Sequence, residues 1–163
     1  MQSKNRIIPA EEFVFLEGPK PRFYEFIFAF KVWLQFIKGF RVLHFIGPAI
    51  TVFGSARPKP DHPYYKLGEE IGKRVAELGF TTVTGGGPGL MEAANKGAFE
   101  NGGKSIGINI VLPFEQSENP YLHESVTIDY FFVRKTLLLK NSYAFIVLPG
   151  GFGTLDELFF PLT

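Results

Sequence analysis

Three short runs rich in β-branched residues each end in a glycine-rich loop, and this repeated order constrains the fold more than any other feature of the 163-residue chain. Ile50–Phe53 leads into Gly54-Ser55-Ala56-Arg57, Thr81–Thr84 into Gly85-Gly86-Gly87-Pro88-Gly89, and Ala144–Leu148 into Pro149-Gly150-Gly151-Phe152-Gly153-Thr154. Further strands are expected at Ser105–Ile110 and near Val126–Ile128, with helices at Tyr64–Leu78, Leu90–Glu100 and Tyr130–Asn141. Gly79 stands where a glycine stops a helix by taking the left-handed conformation. Strands alternating with helices make a parallel sheet. The expected class is therefore α/β: a Rossmann-like, doubly wound parallel sheet with helices on both faces.

The chain ahead of this pattern reads differently. Residues 1–47 are expected to form an extension, and residues 48–163 the Rossmann-like domain, with Gly47-Pro48 between them. Within the extension, Phe23, Phe26, Ile27, Phe30, Leu34 and Ile37 recur at helical spacing, with Trp33 beside them, and predict an aromatic-rich helix over 22–38. Glu25, Lys31 and Gln35 interrupt its apolar character, so no run reaches the roughly 18 residues of a membrane-spanning helix. The helix is expected to pack over the main domain or against a second subunit. Met1–Ala10 lacks the apolar run of a secretory signal.

Composition narrows the chemistry. Lys plus Arg number 17 against 16 Asp plus Glu, a formal net charge of +1, so no global field draws the protein to nucleic acid or anionic lipid. Neither is an expected partner. Cysteine is absent and the three histidines, His44, His62 and His123, lack metal-ligand spacing. No metal and no cofactor are expected, and a reducing cytoplasm fits the cysteine usage.

Open α/β sheets bind ligands beyond the carboxyl ends of their strands, where the three glycine-rich loops lie. Glycines let the backbone approach a ligand, and the helix that follows offers free N–H groups to an anion, so a phosphate is the natural guest. Commoner motifs fail. The dinucleotide pattern G-x-G-x-x-G breaks at Leu90 and at Asp156, where its third glycine belongs. Gly103-Lys104-Ser105 would need a glycine at position 98, where alanine stands, to complete a P-loop, and it leads into a strand. Gly103–Gly107 also spells G-x-S-x-G, but with strand and helix in the wrong order for a nucleophile elbow.

The loops that remain resemble the LOG family, the cytokinin-activating phosphoribohydrolases whose bacterial members were long labelled lysine decarboxylases. The resemblance rests on GGGPGLMEAANKGA (Gly85–Ala98), FFVRK (Phe131–Lys135) and PGGFGTLDE (Pro149–Glu157), which fits the family signature P-G-G-x-G-T-x-x-E. FVFLEGPKPR and Gly47–Arg57 look like the longer bacterial members. The resemblance implies hydrolysis of the N-glycosidic bond of a nucleoside 5′-monophosphate, AMP or an N6-substituted AMP, to free base and ribose 5-phosphate. It implies that Gly150, Gly151, Gly153 and Thr154 hold the phosphate with help from Gly85 and Gly86. Arg134 and Glu157 would be the catalytic pair, Lys135 a further contact, and the enzyme a cytoplasmic homodimer. Leu138 stands where shorter members often carry a methionine near the base. Decarboxylation would need a lysine placed to hold pyridoxal phosphate, and Lys135 and Lys140 have no such setting.

Each residue also has a plainer reading. Thr154-Leu155-Asp156-Glu157 spells a capping box, in which Glu157 would bond the Thr154 amide. Arg134 could be a solvated helix arginine, and Glu92 a first-turn helix residue. The rival function is a module that binds or senses AMP without turnover, which does not require the Arg134 and Glu157 pair. The stop nine residues after Thr154 is read as a truncation of the family's last elements, and Pro161 as a point where the final helix would end.

Overall fold

The computed structural model describes residues 17–111 and 119–160. The amino-terminal leader before residue 17 and Pro161 lie outside the described residues. The elements run α1 (Arg22–Leu43), β1 (Ala49–Phe53), α2 (Pro63–Glu77), β2 (Thr81–Thr84), α3 (Leu90–Glu100), β3 (Ser105–Ile110), β4 (Glu124–Ile128), α4 (Phe131–Lys140), β5 (Ser142–Val147) and α5 (Phe152–Phe159). The five strands are all parallel, in the order β4-β3-β2-β1-β5.

Each central strand feeds two cores, because successive side chains point to opposite faces. Ala49 and Phe53 of β1 pack with Val83, Ile108, Val133 and Leu137 in one cluster, while Val52 packs with Tyr65, Leu90 and Ala93 in the other. Burial on both faces is why these strands read as short runs rich in β-branched residues rather than as alternating apolar and charged positions. Helices α1 and α4 cover the first face, α2 and α3 the second. The sheet is therefore doubly wound, as its pattern predicts.

Helices α2 and α3 meet through small residues. A Cβ at Gly72 would overlap the Ala94 carbonyl, and one at Gly97 the Glu69 carbonyl, so the two backbones touch where only glycine fits. Their packing seats the amino end of α3 under the loop after β1, where the Leu90 N–H donates to the Ser55 carbonyl at 2.9 Å.

Helix α1 runs five residues beyond its predicted end at 38. Gly39 does not break it, because a side chain there would overlap Leu137 of α4, and Leu43 and Ile46 continue the buried face. The helix seats on the sheet through Phe28, whose ring meets Tyr130 edge-on at 5.3 Å. Gln35 bonds Asp129, and Lys38 Nζ donates to the Thr127 carbonyl at 2.6 Å. Its outer face is apolar too: Phe23, Phe26, Phe30 and Trp33 are each more than half exposed. No helix among the described residues is long and apolar enough to cross a membrane.

Gly72→Ala tests the α2–α3 contact. Alanine favours a helix interior over glycine by about 1 kcal/mol, but overpacking against a backbone costs about 1–3 kcal/mol. The expected result is net destabilisation, read as a lower midpoint in urea denaturation; a gain in stability would show that the helices can part freely.

Candidate active site

The sheet order places the site. Strand β1 has β2 on one side and β5 on the other, so the chain leaves β1 and β5 toward different faces and opens a crevice at their carboxyl ends. A cleft of about 600 Å³ occupies that crevice. Its walls come from the loop after β1 (Gly54 to Arg57), the start of α3 (Met91), α4 (Phe131, Arg134, Lys135) and the start of α5 (Gly151 to Thr154, Asp156, Glu157).

Helix α5 begins three residues earlier than a capping box requires. Gly151 is the N-cap, no side chain caps it, and the first helical bond runs from the Leu155 N–H to the Gly151 carbonyl at 3.1 Å. The amides of Phe152, Gly153 and Thr154 therefore have no partner within the helix. Gly151 and Gly153 have open space where a Cβ would be, so a ligand can approach the backbone directly. Gly150 does not line the cleft; a side chain there would overlap Thr154, which is buried.

The early helix start frees Glu157 from capping. Its Oε1 accepts from Arg134 Nη1 at 2.9 Å, and the two side chains are 14% and 7% exposed. Arg134 is not a solvated helix arginine. Its Nε donates to the Ile108 carbonyl at 2.8 Å, at the carboxyl end of β3. Nη2 passes over Gly85, where any side chain would overlap it. Beside this pair, Lys135 forms an ion pair with Asp156, and its ammonium stands 5.4 Å from the Phe160 ring centroid.

Gly85 and Gly86 lie behind Arg134 and do not line the cleft. Gly86 has φ +70°, and a side chain there would overlap Asn109. Its N–H donates to Thr84 Oγ1, which donates to Asn95 Oδ1; Asn95 in turn bonds Ser105 and Asn119. This buried network fixes the loop that Arg134 crosses.

Leu138 departs from its expected place. It is 1% exposed in the core on the α1 side of the sheet, because it lies on the same stripe of α4 as Phe131 and Arg134 but one turn further along the helix, past the end of the cleft. The large apolar residues of the cleft wall are Met91, Phe131 and Phe152. Glu92 faces away from the cleft and accepts from the Tyr65 hydroxyl at 2.7 Å. Ser55, Arg57, Met91 and Phe131, which the sequence placed in its loops and motifs without a role of their own, also line the cleft. Their signal was position, directly after β1 or at the first turns of α3 and α4. Among the described residues no cluster of side chains could hold a metal ion.

The family model described as "Possible lysine decarboxylase" matches residues 91–163. The chain is 40% identical over 96 residues to the cytokinin riboside 5′-monophosphate phosphoribohydrolase of Mycobacterium tuberculosis, covering 58% of this chain and 51% of that one. It is 32% identical over 118 residues to the Rhodococcoides fascians protein of the same name, covering 71% and 60%. Over these stretches the chain is similar to proteins of the LOG family. It spans about half the length of the first curated relatives it matches. Among solved structures, TM1055 superimposes with a TM-score of 0.57 at 31% identity, covering 68% of this chain and 66% of that one. The molybdenum cofactor carrier protein of Chlamydomonas reinhardtii superimposes with a TM-score of 0.58 at 28% identity, covering 69% and 68%. The five-stranded parallel α/β fold is that of these LOG-like proteins.

Two predictions follow from the packing around the cleft. Gly85→Ala should displace the guanidinium and leave Glu157 without its partner. Breaking a buried pair costs about 3–5 kcal/mol when one charge is stranded, so a large drop in chemical-denaturation stability is expected; wild-type stability would mean that Arg134 has room to move. Burial, with the bond to Glu92 next, pushes the Tyr65 hydroxyl well above the ordinary tyrosine value of 10.0. The fold therefore holds a proton that the unfolded chain releases, and this contribution is whole below about pH 10 and falls as pH rises above it. Tyr65→Phe should flatten that alkaline slope relative to wild type; parallel slopes in urea titrations from pH 9 to 11.5 would contradict it.

Proposed function

We propose that the cleft hydrolyses the N-glycosidic bond of a nucleoside 5′-monophosphate, AMP or an N6-substituted AMP such as a cytokinin nucleotide, to free base and ribose 5-phosphate. The observation that carries this reading is the Arg134–Glu157 pair, held nearly dry inside a cleft that also holds the free amino end of α5. The names of the curated relatives support it.

The chemistry suits these residues. Breaking the bond between C1′ and the base nitrogen develops positive charge on the ribose, which a nearby carboxylate stabilises. Water adds its oxygen to C1′ and the departing base takes up a proton. Oε1 of Glu157 is engaged by Arg134, which leaves Oε2 to orient and deprotonate that water. Arg134 fixes the carboxylate and supplies positive charge beside the ribose phosphate. Gly151, Gly153 and Thr154 receive the phosphate at the helix start, where unpaired amides and the helix dipole favour an anion. Lys135, tied to Asp156, flanks them.

A binding module without turnover has no need of a carboxylate clamped by arginine, so assay decides between the two. With the full-length protein, AMP and isopentenyladenosine monophosphate should each release base and ribose 5-phosphate, resolved chromatographically. Glu157→Gln should lower kcat/KM by about 10²–10⁴, and Arg134→Ala by a comparable factor. Tight AMP binding with no release would favour the sensing module.

The working unit in this reading is a cytoplasmic homodimer, paired through the outer face of α1. Four large aromatics more than half exposed along one helix form a continuous apolar stripe, which a monomer rarely leaves to water. Phe26→Asp with Trp33→Asp should shift the sedimentation coefficient of a dimer to that of a monomer; an unchanged coefficient would place the interface elsewhere.

A further inference from the structure

Of the three cations that line the cleft, two are already engaged. Arg134 is held by Glu157 and the Ile108 carbonyl, and Lys135 by Asp156. The third, Arg57, is exposed and has no carboxylate partner among the described residues. The two carboxylates of the cleft thus balance Arg134 and Lys135, and Arg57 is the surplus charge.

The backbone beneath Arg57 is fixed. Its own N–H donates to Ser55 Oγ at 3.3 Å, and the Ser55 N–H donates to the Pro149 carbonyl at 3.3 Å, joining the loop after β1 to the loop after β5. The Leu90 N–H holds the Ser55 carbonyl from the other side. Gly89, with φ +71°, presses against the backbone of Ser55 and Ala56 so closely that no side chain fits between. The loop is stitched between two helix starts while its arginine remains free at the crevice. An arginine on a rigid base, unpaired, in the same cleft as unbonded helix amides, is arranged for a divalent oxyanion that takes charge from one and N–H groups from the other.

We propose that Arg57 reads the 5′-phosphate of the substrate, its guanidinium engaging two phosphate oxygens while the amides at the start of α5 engage the third. This assignment rests on the nucleotide reading of the cleft and makes Arg57 the residue that separates nucleoside monophosphates from nucleosides. A neutral nucleoside leaves Arg57 without a partner.

Calorimetric titration of the full-length protein with ribose 5-phosphate and with adenosine tests it at low ionic strength. Arg57→Ala should weaken ribose 5-phosphate roughly 10- to 100-fold, the range of a charged hydrogen bond, and leave adenosine affinity unchanged. Arg57→Lys should fall between, since lysine keeps the charge but not the fork. Circular dichroism checks that the variants fold, which the exposure of Arg57 favours. Wild-type affinity for ribose 5-phosphate in Arg57→Ala would overturn the assignment, as would equal weakening of adenosine, or no binding of ribose 5-phosphate by wild type. The test needs no bond cleavage. Selective loss in Arg57→Ala with no base released from AMP by wild type would uphold the assignment and sink the hydrolase reading. Base release with Arg57→Ala indifferent to phosphate would do the reverse.

Discussion

The guanidinium of Arg134 is where the fold and the site become one object. Its Nε takes the carbonyl at the end of β3, its Nη1 takes Glu157 on α5, and its Nη2 crosses Gly85 at the end of β2. A single planar group therefore fixes the relative positions of two strand ends and the helix that carries the candidate carboxylate. Arginine suits this place because five donors in a rigid fork can satisfy several acceptors at once and the charge persists at any ordinary pH. Lysine could neither span the three contacts nor hold Glu157 in one orientation.

Much of the supporting architecture exists to bring a buried cation there at low cost. The Thr84–Asn95–Ser105 network secures the Gly85-Gly86 loop from below. The glycine contacts between α2 and α3 set the height of the α3 start, which in turn holds the loop after β1. The order β4-β3-β2-β1-β5 then places the β1 and β5 loops side by side, leaving a crevice at the one point where connections diverge. Fully extended burial of β1 on both faces makes this centre rigid, while α1 closes one face and turns a second apolar stripe outward.

Strands and loop positions were legible in the sequence because their signals are local. Val52 and Phe53 precede glycine, Thr81–Thr84 precede three glycines, and helices end at Gly79 or Asn101-Gly102. The family resemblance carried by Phe131–Lys135 and Pro149–Glu157 named Arg134 and Glu157 together, and the structure brings their side chains into contact. What was not legible depends on pairing distant in the chain. That β5 lies beside β1, and so opens the crevice there, is a long-range choice no local pattern encodes. The steric role of Gly85 needs the Arg134 side chain in place before it can be seen. Thr154-Leu155-Asp156-Glu157 spells a capping box, but the helix starts at Phe152, so the letters fall out of register with the cap. Leu138 shares a helix face with Arg134 but lies one turn further along, in the core rather than the cleft, a matter of depth that matching a motif does not show. Arg57 closes a loop that the sequence did mark, but its own role was not legible there, because that role depends on which cations the folded cleft leaves unpaired.

The central claim is that Arg134 and Glu157 act as one unit rather than as two separate contributors. A double-mutant cycle on kcat/KM with AMP, using Arg134→Met, Glu157→Gln and both together, measures this directly. If the arginine works by holding the carboxylate, the double variant should be about as slow as either single one, with a coupling of at least about 2 kcal/mol, within the range found for residues in contact. Losses that simply add would show that the two side chains contribute independently, and the account of the site given by their contact would be wrong.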